Sequence, residues 1–199
     1  MVDVDVDAID ILSASSWKNT TTFQSIQNKE TQKKYYARMN SSPEVQTLVE
    51  MDSKLFGSVI EKMICELLKL GPRASSQNDG TRLGKKIEIK AARYWISGSG
   101  GGGGGGDCCW QHLEPDHDYE YALLALLDFH CLQLWAISKS RLMGEMREKK
   151  IVTCQGKQGW WVKKSDILPY LTPIHSVADF DAFITTVEDD ESSSSLSSL

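Results

Sequence analysis

Between Asn78 and Arg93 the chain reads Asn-Asp-Gly-Thr-Arg-Leu-Gly-Lys-Lys-Ile-Glu-Ile-Lys-Ala-Ala-Arg, and no other stretch restricts the fold as strongly. A turn feeds a segment in which charged and apolar residues alternate, the period of a short strand with two unlike faces. Lys86, Glu88, Lys90 and Ala92 point one way, and Ile87, Ile89 and Ala91 the other. A carboxylate and a lysine flanked by isoleucines are costly to place near a core unless a cation, a phosphate or another charge compensates them. The fold must therefore bring that compensation to this strand.

Asp79, at the turn, supplies a second acid. Two hard carboxylates converging beside an ammonium group suit Mg²⁺, whose other positions water and phosphate oxygens can fill, so the chemistry expected is phosphodiester hydrolysis. Asp79, eight residues, then Glu88-Ile89-Lys90 resembles the active-site motif of the PD-(D/E)XK nuclease superfamily, to which most type II restriction endonucleases belong. Asn78 stands where the name-giving proline would be. The resemblance implies an α/β fold, a restriction-endonuclease-like mixed β-sheet core flanked by helices. It implies that Asp79 and Glu88 bind the metal, that Ile89 offers its backbone carbonyl as a further ligand, and that Lys90 orients the attacking water. Family members carry another acid on the preceding helix, and Glu61 matches that place; the alternative for Glu61 is an ordinary surface acid. The implied cofactor is Mg²⁺, with Mn²⁺ able to replace it. The implied partner is double-stranded DNA, cut by a homodimer whose two-fold axis matches a palindromic site. A junction-resolving or repair nuclease on the same scaffold, or a DNA-binding module without catalysis, are the competing expectations.

A second placement of the motif uses the literal Pro115-Asp116 with Glu148-Lys149-Lys150. Those last residues end a charged run of good helix formers from Arg141, and an exposed helix is the wrong platform for a metal site. The first placement is preferred.

The formal net charge is -5, but the acids lie at the ends. Residues 1–10 hold four acids and no base, and seven acids and no base follow Lys164. Of 22 bases and 27 acids, residues 11–164 therefore keep 22 bases against 16 acids (27 less 4 less 7), a net of +6. Arg82, Lys85, Lys86 and Arg93 cluster about the motif, while Lys157 and Lys163 surround Trp160 and Trp161. These bases, with Trp160, are the expected DNA contacts. In the loop after Cys109, Gln111 and His112 are expected to reach base edges or phosphates. Cys108, Cys109, His112 and His117 tempt as a zinc set, but adjacent cysteines splay apart and lack the usual ligand spacing.

Residues 1–41 read as a polar arm, with a helix over Phe23 to Met39, and 42–187 as the nuclease domain. Ser42-Pro43-Glu44 is a helix start, opening a long helical segment to Leu70 with an interruption near Asp52-Ser53 and a stop at Gly71-Pro72. Tyr119–Phe129 and Leu132–Ile137 suit central strands covered on both faces. A helix over Ser138 to Lys150, a hairpin of Ile151–Cys154 with Trp160–Lys163, and helices from Ser165 and over Val177 to Val187 complete the expectation. The tract 97–106 holds eight of the 15 glycines and reads as a flexible Gly/Ser loop, and 188–199 as a disordered acidic, Ser-rich tail. No apolar run reaches membrane-spanning length, the N-terminal acids do not suit a secretory signal, and five cysteines without C-x-x-C spacing suit a reducing compartment. The expected location is intracellular, cytoplasmic or, in a eukaryote, nuclear.

Overall fold

The computed structural model describes residues 32–94, 108–156 and 159–196, with side chains up to Val187 in the last stretch. Lys157, the tract 97–106 and the arm before residue 32 lie outside the described residues, as do the last three residues of the expected tail. Of the helix expected from Phe23, the described part is α1 (Gln32–Arg38), which buries Tyr35 and Tyr36.

Helix α2 (Pro43–Val49) starts where the sequence indicates, with the Ser42 hydroxyl accepting from the Val45 amide and proline in the first turn. The interruption at Asp52 is real: its Oδ1 accepts from Lys54 N at 2.9 Å and Leu55 N at 3.0 Å and caps α3 (Ser53–Leu67). Phe56, Ile60 and Ile64 form the buried stripe of α3. The stop expected at Gly71-Pro72 comes earlier. Lys69 takes a left-handed backbone (φ 53°), and the Leu70 amide donates back to the Cys65 carbonyl at 2.9 Å, a closing turn that glycine usually makes.

The main sheet has five strands in the order β1 (Gly80–Arg82), β2 (Lys85–Arg93), β4 (Tyr121–Leu127), β5 (Leu132–Ser138) and β8 (Thr172–Pro173). Only the β2/β4 pair is parallel; the other three pairs are antiparallel. Leu83 and Gly84 join β1 to β2, both with positive φ, as a two-residue hairpin turn requires. One face of the sheet packs Ile87, Ile89, Tyr121, Leu123 and Ala125 against α1, α2, α3 and the start of α7 (Val177–Leu196). The other face packs Ala92, Ala122, Leu124 and Leu126 against a second layer. That layer contains a three-stranded sheet of β3 (Cys109–Trp110), β7 (Trp160–Lys163) and β6 (Val152–Cys154), with α4 (Lys139–Met143), α5 (Glu145–Glu148) and α6 (Lys164–Ile167). Every residue of β4 is buried, as a strand covered on both faces must be.

The helix expected over Ser138 to Lys150 is two. Gly144, with ψ near -95°, breaks it, and a Cβ there would stand 2.5 Å from the Ser140 carbonyl oxygen. The backbone of α7 is helical to Leu196, beyond the boundary at Val187 and through most of the segment expected to be a disordered tail. The fold belongs to the mixed α/β class.

Candidate active site

The site is organised by the short reach of β1. That strand covers only Lys85 to Ile87 of β2, so the outer edge of β2 continues past it. Asp79 extends the ladder by one step, donating its amide to the Ile87 carbonyl at 2.8 Å, while its Oδ2 accepts from the Ile89 amide at 2.7 Å. Because a strand residue turns its N–H and C=O to the same side, the Ile89 carbonyl faces this edge too. Glu88, 4 % exposed, accepts a hydrogen bond from Lys90 Nζ. The hairpin thus gathers Asp79, Glu88, Ile89 and Lys90.

Glu61 approaches from α3. Burial first, and then the Asp79 and Glu88 carboxylates, raise its pKa, while Arg73 and Lys90 lower it. Glu88 is also raised, first by burial and further by Asp79, against the lowering by Lys90 and His117. Glu61 and Glu88 therefore sense Asp79, and both find their charge incompletely compensated. Behind them, the Cys65 thiol donates to the Asp79 carbonyl at 3.7 Å and holds the turn against α3.

Among the described residues no three His, Cys, Asp or Glu side chains gather closely enough to hold a metal ion by themselves. The donor set nevertheless fits a hard cation: two carboxylates, of which the buried Glu88 is raised, and a backbone carbonyl. Mg²⁺ keeps several waters and needs few protein oxygens. Of the residues weighed as a zinc set, Cys108 is buried in the core while Cys109 and His112 line the cleft described next.

A cleft of about 530 Å³ opens beside this edge. One wall is the exposed face of α3, with Ser53, Lys54, Gly57, Ser58 and Glu61; Ile89, Lys90 and Ala91 form the floor, and Cys109, Gln111 and His112 the far wall. Nothing lies within 4 Å of where a Cβ on Gly57 would sit. Asp79 and the buried Glu88 do not line the cleft themselves; Lys90 and Glu61 do. Gln111 and His112 stand where the loop was expected to face a ligand, and His112 is exposed with a left-handed backbone (φ 56°). The signal for the α3 wall, small residues and a lysine recurring on one face from Ser53 to Glu61, was present in the sequence but not used.

The basic residues expected to meet DNA divide differently. Arg82 forks onto Asp181 of α7, with both bonds at 2.6 Å. Lys86 contacts both oxygens of Asp118 at 2.8 Å, and Lys85 pairs with Glu120 at 3.2 Å. Arg93 is 6 % exposed, its guanidinium donating to the Val49 and Met51 carbonyls at 2.8 and 2.9 Å and lying over the Phe56 ring. Leaving those two carbonyls unpaired would cost about 1–3 kcal/mol each, so Arg93 holds the α2–α3 junction, where it also lines the cleft. Both Arg93 and Arg82, expected at the DNA, are thus engaged within the protein. Trp160 is half-buried beneath Arg147, whose guanidinium lies 4.2 Å from its ring centre, and Lys163 is exposed on β7.

The literal Pro115-Asp116 motif is not assembled. Glu148 ends the four-residue α5, Lys150 follows in a left-handed turn, and Asp116 and Glu148 are both exposed without a bond joining them. No family model matches the chain, and neither a curated protein nor a solved structure matches it. Among the described residues no helix is long and apolar enough to cross a membrane.

Proposed function

We propose that this chain is a Mg²⁺-dependent DNA endonuclease, most like a type II restriction enzyme, that hydrolyses phosphodiester bonds in duplex DNA. The observation that carries the reading is that Glu88, bonded to Lys90, and Glu61 are both raised by burial and by Asp79, while Lys90 and Glu61 line an open cleft. Lys90 and Arg73 act on Glu61, and Lys90 and His117 on Glu88, yet both acids remain raised, and a divalent ion would supply the missing positive charge. Asp79, Glu88 and the Ile89 carbonyl would hold Mg²⁺, or Mn²⁺ in its place, which when bound supplies Lewis-acid polarisation of a phosphoryl oxygen.

The protein's own groups have separable tasks. Lys90 leaves Glu88, orients the attacking water and stabilises negative charge growing on the phosphate. Glu61, half-buried on the α3 wall, accepts hydrogen bonds from water in the cleft. Lys54, exposed at the start of the same wall, meets the DNA backbone, and Gln111 and His112 reach it from the opposite side. Duplex cutting at a palindromic site would use two copies of the chain.

The test is incubation of the purified protein with mixed plasmid DNA and Mg²⁺, followed by sequencing of the ends, with branched DNA in a parallel reaction. Discrete cuts in plain duplex that vanish in EDTA are expected. Cutting confined to branches would instead identify a junction-resolving or repair enzyme, and full activity in EDTA would sink the metal mechanism.

A further inference from the structure

Beyond Gln111 and His112, the chain that runs on to β4 carries His117 and Tyr119, which the proposed chemistry has not used. Strand β3 belongs to the second layer, which packs on the face of the main sheet that carries Ala92 and, by strand alternation, Glu88, while β4 is the neighbour of β2 within that sheet. The segment Gln111–Glu120 that joins β3 to β4 therefore passes from the second layer to the sheet on the face of Glu88, and its Leu113 and Tyr119 are buried in that layer's core. The crossing is anchored at several points. The Leu113 amide donates to the Trp160 carbonyl at 3.0 Å, Asn78 Nδ2 reaches the Asp118 carbonyl at 3.4 Å, and the Glu120 amide donates to the Lys86 carbonyl at 2.8 Å. Lys139 Nζ donates to the His117 carbonyl and lies 4.8 Å from the centre of the Tyr119 ring.

Within this anchored segment two polar atoms are buried without any partner, His117 Nδ1 and the Tyr119 hydroxyl. Tyr119 is only 3 % exposed. An unpaired buried polar atom costs about 1–3 kcal/mol, so two of them beside a buried carboxylate call for a use. Both lie within electrostatic reach of Glu88: its carboxylate is the largest influence after burial in raising the tyrosine's pKa, ahead of Glu114, and His117 lowers the pKa of Glu88.

We propose that His117 and Tyr119 are positioning residues for Glu88, whose ring nitrogen and hydroxyl donate to its carboxylate when Lys90 turns away to the substrate and a cation is taken up. The inference rests on the reading of Glu88 as a cation ligand. In the resting protein Lys90 holds one oxygen of Glu88. Once that bond is given up, a carboxylate this deeply buried would swing unless donors behind it fixed its direction. Partners of metal ligands have this role generally, and losing one typically weakens metal affinity by about 10- to 100-fold.

Tyr119→Phe separates positioning from simple structure, because it removes only the hydroxyl. A structural hydroxyl would be missed, and the variant would be less stable. A hydroxyl unpaired until the cation arrives predicts the reverse: without Mg²⁺ the variant melts at the same temperature as the parent or higher, yet its Mg²⁺ affinity, measured by calorimetry without DNA, falls about 10-fold or more. His117→Ala is expected to lose affinity similarly, and His117→Asn, which can still donate a hydrogen bond, to recover part of it. Glu114→Gln, which alters the other acid that acts on Tyr119, is expected to bind as the parent does. If Glu88→Gln loses Mg²⁺ while Tyr119→Phe and His117→Ala bind it like the parent, the positioning role is overturned and the site stands. If Glu88→Gln itself binds like the parent, the site assignment and this inference fall together.

Discussion

Two ion pairs on one hairpin behave in opposite ways. At its tip end, Arg82 grips Asp181 through two parallel bonds; the aspartate's pKa is lowered and the arginine's raised, chiefly by that bond. Six residues along the same hairpin, Lys90 grips Glu88, yet the pKa of Glu88 is raised. The first acid stands near solvent with one cation to itself. The second is buried, shares its lysine's field with Asp79 and Glu61, and cannot be satisfied by a single charge. A settled pair fastens β1 to α7, while the unsettled one leaves room for a ligand. The direction of the acid's shift, more than the presence of a salt bridge, distinguishes them.

Breaking the unsettled pair should have the largest effect. Lys90→Ala and Asp79→Ala are expected to lower cleavage by at least ~10²–10³-fold without unfolding the protein, since they act on the charge that develops in the transition state. Asp116→Ala and Glu148→Ala, exposed and far less engaged, should cut nearly as the parent does. Single-turnover rates on plasmid DNA decide it: dead Asp116 and Glu148 variants beside an active Lys90→Ala would return the site to the literal Pro-Asp motif.

A smaller effect sharpens the electrostatic side. A carboxylate whose folded pKa is raised binds its proton more tightly folded than unfolded, so its stabilising influence is full below the ordinary value of about 4.3 and is lost as pH rises through the folded value. Glu88 therefore makes the cation-free protein less stable at neutral pH than in mild acid. Glu88→Gln should be more stable than the parent at pH 7 in EDTA and should show a flatter stability profile between mild acid and neutral pH, with the slope from Glu61 still present. Urea denaturation across that range measures it, and identical profiles would show that the pair is settled after all.

The smallest effect is expected at the settled pair. Arg82→Ala should lower stability by about 1 kcal/mol, the upper end for a partly exposed pair, and leave the chemical step alone. If its single-turnover rate at saturating DNA fell as far as that of Lys90→Ala, the contrast between the two pairs would collapse.

Local spacing was enough to predict which residues of the candidate site share one hairpin. Asp79, Glu88, Ile89 and Lys90 lie within one hairpin, where strand period and a two-residue turn dictate which groups meet, and Ser42 and Asp52 mark the helix starts that their side chains cap. The broad α/β class followed from the same short-range patterns. Partners from distant parts of the chain followed from none of them. Arg82 and Arg93 have the same composition signal as a DNA-facing arginine, but one finds Asp181 and the other the carbonyls of Val49 and Met51. A long cation takes whichever acceptor packing brings near, and sequence separation carries no record of that. The passage of His117 and Tyr119 over the face of Glu88 likewise depends on β3 lying in the second layer and β4 in the main sheet, a placement made by hydrophobic burial across the two layers rather than by any motif.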